Sequence, residues 1–430
     1  MHIRRLKFKS EFLRSLFVLL SGTIVAQLIG YALSPVITRM YTPSEMGDFG
    51  VFHRWVVLIA TIATARFEYA LPIPKKDHHA FLLYQVALRT TTIVAAITFL
   101  CYLFYGIWSI NNEFIFYILP LLILSVCSLA FMNLGTNWAI RKKQFQKISY
   151  SKMTNSLSLN ISRVIFGFLN LGKWGLFLSF LLSLIMGSFH FFKDFYNARK
   201  SALKEKKTKR MRIIAVKYKD FPFSSLPHAL SDNLRDLILA LLLVYIFSEA
   251  IFGAFDHSLR MLRIPLMIVG TSLGQVFFSK ISEAKKNNLE LMPIVLKVTK
   301  YLFLISIIPF LLILFFGEDL FSIVFGSEWA FSGRLSEIMT PWLWINFIIS
   351  PLSVIPLVLG KQRSFLIIGL ISSVSQVASF YLFSLLFKGS TNQVEITFMI
   401  SSWIQFAISS YTLFYFYFLI RKNDRQRITE

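Results

Sequence analysis

Cysteine is nearly missing from this sequence. Cys101 and Cys127 are the only two in 430 residues, and both sit inside apolar runs where a small thiol needs no special explanation. A disulfide framework is thereby excluded, and seven scattered histidines with no close Cys/His cluster exclude a zinc site. No motif calls for a metal or a cofactor. Acid is scarce as well: 22 Asp and Glu stand against 45 Lys and Arg. Charged residues of both signs make up 16% of the chain and hydrophobic ones 55%, with a mean hydropathy of +0.61. So little charge cannot cover a soluble domain, and the expectation is an all-α integral membrane protein.

Long polar stretches are few. Apolar runs of about 20 residues, enough to cross about 30 Å of hydrocarbon as helix, recur instead along the whole chain. Twelve are expected, near 16–38, 49–71, 80–106, 114–139, 148–170, 174–192, 222–246, 252–278, 293–316, 335–360, 364–387 and 394–420. The first follows MHIRRLKFKSEFLR, like the start of a signal peptide, but it is too long and lacks a small-residue cleavage pattern, so it is expected to be retained.

The net charge of +23 raises the question of nucleic acid, which its placement answers. With a cytoplasmic N-terminus and twelve crossings, the N-terminal tail, alternate connections and C-terminal tail hold 32 of the 45 Lys and Arg. The opposite connections hold Arg39, Lys173, Arg334 and Lys388. This asymmetry is the positive-inside pattern, so both termini are expected in the cytoplasm and no nucleic-acid partner is expected. Segment 193–219, with eleven Lys or Arg, reads as a solvated linker or as a contact with anionic lipid heads.

That linker divides the chain into an N-terminal six-helix half (1–192), a basic cytoplasmic linker (193–221) and a C-terminal six-helix half (222–430). YTPSEMGDFGVFHRW (41–55) is echoed by YIFSEAIFGAFDHSLR (245–260), each at an outer turn leading into the second helix of its half. With six crossings per half, the repeat is expected to be parallel.

Charge at membrane depth carries the functional argument. Arg54, Arg66, Arg89, Lys152, Arg163, Arg235, Arg260, Arg263 and Lys300 lie within the runs, against Glu68, Asp232, Asp236 and Asp256. Arg89 and Lys300 are near enough to the ends to snorkel. A centred charge facing lipid costs about 2.5–3.5 kcal/mol on the milder scale, so the rest are expected to face protein or water. Asp256, Arg260, Arg263, Met267, Gly270 and Gly274 share one helix face, as do Ser225, His228, Asp232, Arg235 and Leu239, with Asp236 beside them. Arg54, Thr61 and Glu68 are spaced as a stripe on the second helix; Ser149, Ser156, Asn160, Arg163 and Gly167 form one on the fifth. Thr23, Gln27, Ser34 and Thr38 share a face of the first, with a kink expected near Pro35.

Two readings stand open. The acids and arginines of the seventh and eighth helices neutralise one another as architecture. Alternatively, several wet faces line a cavity between the halves, whose excess of cations, Arg54, Lys152 and Arg163, attracts an anion; guanidinium groups suit a phosphate. Glu68 reads as a partner of Arg66 at the helix mouth or as a proton carrier, and His228 as a buried hydrogen-bond partner or a proton carrier. Pro341, Pro351 and Pro356 are expected to break the tenth run.

SGTIVAQLIGYALSPVITRMYTPSEMGDFGVF (21–52) followed by ATARFEYALPIPKKDHHA (63–80) resembles the bacterial polysaccharide transporters of the Wzx type, flippases for O-antigen and related lipid-linked oligosaccharides. Arg39, Tyr41, Pro43, Gly50, Arg66, Glu68 and Pro72 carry the resemblance. It implies the fold of the multidrug and toxic-compound extruders, two pseudo-symmetric six-helix bundles around a central cationic cavity. It also implies an undecaprenyl-pyrophosphate oligosaccharide as substrate, the bacterial inner membrane, no enzyme activity, and polysaccharide polymerase and chain-length machinery as partners. On stripe geometry the pyrophosphate site is expected among Arg54, Arg163, Arg235, Arg260 and Arg263, and coupling or gating among Arg66, Glu68, His228, Asp232, Asp236 and Asp256.

The rivals are a cation-coupled drug extruder of the same fold, an external polysaccharide polymerase or ligase, and a structural scaffold. The first wants an acid deep in the first helix. The second wants a large external loop, whereas the longest external connection, 317–334, is short and partly apolar. The charged stripes argue against the third.

Overall fold

The computed structural model describes residues 22, 24–108, 112–202 and 208–429. The described regular elements are helical: α1 (Ile24–Thr38), α2 (Pro43–Ala63), α3 (Asp77–Trp108), α4 (Asn112–Arg141), α5 (Phe145–Phe168), α6 (Gly172–Ala202), α7 (Thr208–Lys217), α8 (Leu226–Ile246), α9 (Glu249–Lys286), α10 (Met292–Phe325), α11 (Ala330–Leu352), α12 (Ile355–Val358), α13 (Gln362–Leu386) and α14 (Gln393–Thr429). Each of the twelve expected runs falls on one of these, the tenth being shared by α11 and α12. The basic N-terminal tail and Thr23 lie outside the described residues. Among the described residues eight stretches are long and apolar enough to cross a membrane, and the chain is a multi-pass integral membrane protein. α5, α8 and α9 owe their lower hydropathy to the polar and charged stripes noted above.

Several boundaries differ from the sequence reading, each for a backbone reason. α2 stops at Ala63 because Ala65 and Arg66 take left-handed conformations, with φ of 49° and 59°. Glu68 therefore sits in a 3-10 turn, Phe67–Ala70, and does not extend the α2 stripe of Arg54 and Thr61. The expected external connection 317–334 is mostly helix: α10 runs on to Phe325, past a non-helical Phe316, and Gly326 at φ 109° starts the turn into α11. Pro341 and Pro351 are accommodated inside α11; the break comes at 353–354, and Pro356 opens α12. In the basic connection, α6 continues to Ala202 and α7 follows as a further helix.

The chain forms two compact units, residues 1–41 with 48–237 and residues 42–47 with 238–430. In the first, α5 lies along α6 and α6 along α4. Hydroxyls tie these helices to neighbouring backbone: Ser151 donates to the Gly187 carbonyl (2.7 Å), Thr91 to Ala63 (3.3 Å) and Tyr41 to Arg163 (2.8 Å). α7 is docked by its apolar face, with Met211 and Ile214 buried against Leu71, Phe81 and Leu82.

In the second unit α11 packs on both α9 and α10. Ser258 donates to the Ser332 carbonyl (2.6 Å) while Ser332 donates to that of Ala254 (2.8 Å), two reciprocal bonds that bind α9 to α11 without a charge. Gly47 and Gly253 meet at a close backbone crossing: a Cβ on Gly47 would strike the Glu249 carbonyl, and one on Gly253 that of Pro43.

The echoed turns start their helices differently. At α2, Thr42 and Glu45 form a reciprocal capping box, Glu45 N–H to Thr42 Oγ1 (3.3 Å) and Thr42 N–H to Glu45 Oε2 (2.9 Å). At α9, Ser248 itself is the cap and accepts from Ile251 N–H (3.2 Å). The shared Ser-Glu letters thus occupy different helical positions.

Candidate functional site

α9 presents two unlike faces. On one, His257 is buried among aromatic rings, its imidazole 4.7 Å edge-on from Phe325 and 4.5 Å from Trp329. On the other, Arg260 Nη2 donates to Asp256 Oδ2 at 2.7 Å, one helical turn away, with the arginine side chain 39% exposed and the aspartate 14%. Arg263 is exposed on the following turn. The expected stripe thus begins as a charged, open face, and its continuation through Met267 and Gly270 lies outside the described side chains.

In the first unit α8 repeats the arrangement. Arg235 donates through Nε and Nη2 to Asp236 Oδ1 (3.0 and 2.8 Å), and its Nη1 lies 3.9 Å from Asp232 Oδ1. Its side chain is 27% exposed. Asn233 reaches Thr61 on α2 (3.0 Å), and on the same helix Arg54 is half-buried and donates to the Gly50 carbonyl (3.1 Å). α8 and α2 therefore meet through polar side chains. The His228 side chain lies outside the described residues.

The carboxylates that hold Arg235 and Arg260 are on the arginine's own helix, at spacings of one, three and four residues. Each of the two guanidiniums is thus met by carboxylate charge on its own helix. On the expected placement of these helices in the membrane, guanidiniums this exposed would meet water rather than lipid, whose contact costs about 2.5–3.5 kcal/mol per charge.

The α5 stripe is different. Ser149, Asn160, Arg163 and Gly167 are buried, Arg163 at 6% exposure with its guanidinium 4.7 Å over the Phe49 ring. Ser156 donates to the Ala26 carbonyl (2.5 Å), and Gly22 and Gly30 lie opposite Ser149 and Asn160. The expectation of a wet face on α5 is not met. Gly22, Ala26 and Gly30, at four-residue spacing on the first helix, allow close approach, and this face is packed rather than open. That small-residue spacing is visible in the sequence itself. Lys152, by contrast, is exposed on α5.

Arg66 and Glu68 stand together in the turn after α2. Arg66 stacks 4.2 Å from the Tyr69 ring centre, and its Nη1 is 3.8 Å from Glu68 Oε1. Glu68 is 2% exposed, and its Oε2 has no hydrogen-bond partner. Burial pushes the Glu68 carboxyl above its ordinary value, against smaller opposing effects of Thr64, the backbone and Arg66. Among the described residues no group of three His, Cys, Asp or Glu is placed to hold a metal ion.

Comparison with known proteins fixes the fold. The family described as "Polysaccharide biosynthesis protein" matches residues 36–332. No curated protein matches the chain in sequence. Among solved structures it is similar to the lipid II flippase MurJ in an inward closed conformation, at 14% identity and a TM-score of 0.69, covering 96% of this chain and 91% of that one. It is also similar to an inward-facing multidrug resistance MATE family transporter of the MOP superfamily, at 16% identity and a TM-score of 0.52, covering 92% and 98%. A MATE protein in complex with MaD3S aligns at 14% identity and a TM-score of 0.51, covering 97% of each. The fold is that of membrane flippases and transporters.

Proposed function

The chain belongs to the polysaccharide biosynthesis protein family, and from that premise we propose that it is a flippase for an undecaprenyl-pyrophosphate-linked oligosaccharide, working by alternating access in a bacterial cytoplasmic membrane with both termini inside. Arg54, Arg235, Arg260 and Arg263 are the residues assigned to the pyrophosphate. Arg163, buried on α5, orders the helix on which it sits. Asp232, Asp236 and Asp256 hold the guanidiniums outward and, with Arg66, Glu68 and His228, supply gating or coupling to an ion gradient. Polymerase and chain-length machinery take over the product outside.

The observation that carries this reading is the pair of half-exposed guanidiniums, Arg235 and Arg260, each braced by a carboxylate on its own helix. A planar guanidinium held outward is ready to meet two phosphate oxygens in parallel. A pump for organic cations gains nothing from such groups.

The test is a leaflet-accessibility assay in proteoliposomes with a labelled lipid-linked oligosaccharide. Hydrogen bonds to charged groups are worth about 1.5–3 kcal/mol, so Arg235→Ala and Arg260→Ala should each slow translocation by about tenfold or more. Arg260→Lys should recover part of the rate. Wild-type rates in both alanine variants at normal abundance would remove the arginines from the mechanism.

A further inference from the structure

A second site lies away from the charged stripes, at the base of the first unit. A cavity of about 730 Å³ opens between α7, the N-terminal end of α3 and the turn that precedes it. Lys75, Lys76, His79 and Lys217 form a basic rim, and Ile73 and Ile213 supply an apolar wall.

Two features show that this is built rather than incidental. The turn bearing Lys75 and Lys76 is held in place by Arg141, at the end of α4. Arg141 donates to the carbonyls of Leu71 (3.3 Å), Pro72 (3.4 Å) and Pro74 (2.5 Å), and to Asp77 Oδ1 through Nε (3.0 Å) and Nη2 (2.9 Å). Lys142 bonds the same aspartate. α7, for its part, is anchored by Met211 and Ile214 yet leaves a second apolar edge open, with Ile213 64% exposed and Val216 also largely exposed, as is Ile73 in the turn before α3. A solvated linker helix has no use for exposed isoleucine beside lysine.

We propose that this cavity binds an anionic phospholipid of the adjoining leaflet, its phosphate on Lys75, Lys76 and Lys217 and its glycerol and upper acyl chain along Ile73 and Ile213. Position and chemistry agree. The site lies at the N-terminal end of α3, a helix long and apolar enough to cross a membrane, and a lipid matches both the cations and the apolar wall, whereas free phosphate matches only the cations. The bound lipid pins α7, and with it the connection between the two halves of the chain, to the first unit.

Full-length protein in neutral detergent is titrated with phosphatidylglycerol, phosphatidylcholine or inorganic phosphate, and bound lipid is counted by native mass spectrometry alongside the thermal midpoint. Phosphatidylglycerol is expected to bind about tenfold more tightly than phosphatidylcholine and to raise the midpoint. Basic residues near a surface each contribute measurably to anionic lipid affinity, so K75Q/K76Q/K217Q should weaken phosphatidylglycerol binding by about tenfold or more. Ile213→Gln, which keeps every charge, should weaken it as well and serves if the triple variant is not produced. Equal binding of the two lipids, displacement by millimolar inorganic phosphate, or unchanged phosphatidylglycerol binding in either variant would overturn the proposal.

Discussion

α10 starts without a cap of its own, because Leu291 occupies the cap position and Pro293 follows one residue after Met292. The missing acceptor comes from Asp424, near the end of α14. Its carboxylate accepts from Leu291 N–H through both oxygens (3.1 Å each) and from Met292 N–H (2.9 Å). Asp424 is largely buried, so these amides have no ready substitute in water. A lost cap costs about 0.5–2 kcal/mol, a charged hydrogen bond about 1.5–3, and a carboxylate at a partly buried helix N-terminus up to about 2, contributions that overlap rather than add. Asp424→Ala should therefore destabilise the start of α10 by about 2–3 kcal/mol, and Asp424→Asn, which keeps a neutral acceptor, by about half as much. Hydrogen exchange reads this directly. Exchange over 287–295 should speed by about 30-fold or more in the alanine variant, since about 1.4 kcal/mol is a factor of ten, and less in the asparagine variant. Equal exchange in wild type and Asp424→Ala, or equal effects of Ala and Asn, would refute the cap.

Two further outcomes follow from local geometry. Gly47→Ala and Gly253→Ala each place a methyl against backbone carbonyls that cannot turn aside, and should each cost about 1–3 kcal/mol of stability by thermal unfolding, whereas Gly369→Ala on α13, with open space around it, should be neutral or stabilising by up to about 1 kcal/mol. Glu68, its carboxyl raised by burial, binds its proton more tightly folded than unfolded; its contribution is present below the ordinary carboxylate value and lost as pH rises through the raised one, so Glu68→Gln should gain on wild type in thermal midpoint across that interval, and a pH-independent difference would count against it.

Hydropathy located the helices because a membrane helix announces itself by about 20 apolar residues. It did not locate their ends. The apolar letters of ATARFEYA run on past Ala63, while the left-handed turn at Ala65 and Arg66 depends on tertiary packing around Phe67 and Leu71. Likewise GEDLF reads as a polar loop, yet Glu337 accepts from the Glu318 amide (3.0 Å) and lets α10 continue through it. Stripe geometry identified the charged faces of α8 and α9 but assigned α5 the same role. Periodicity says which residues share a face; only the small residues on the neighbouring helix say whether that face is packed or wet. The basic rim of Lys75, Lys76 and Lys217 joins parts of the chain about 140 residues apart, and no spacing rule spans that distance.

Asp232, Asp236 and Asp256 equal Arg235, Arg260 and Arg263 in number, and the way they pair bears on transport. An ion pair between helices must break whenever those helices separate, which costs about 3–5 kcal/mol if one charge is left buried and alone. Asp256 with Arg260, and Arg235 with Asp232 and Asp236, are pairs along one helix. Such a pair travels with its helix and places no toll on motion. It is also weak, about 0.3–0.5 kcal/mol when exposed, so on the proposed function a pyrophosphate offering two oxygens displaces the aspartate from the guanidinium, and the aspartate retakes it on release. Arg163, by contrast, is buried with its guanidinium over the Phe49 ring. On the proposed reading, conservative loss of the aspartate alone discriminates the two roles. Asp256→Asn should tighten substrate binding by about twofold and slow its release, while Arg260→Ala should abolish the binding gain; if Asp256→Asn instead lowers stability and leaves both binding and release unchanged, the pair is architecture.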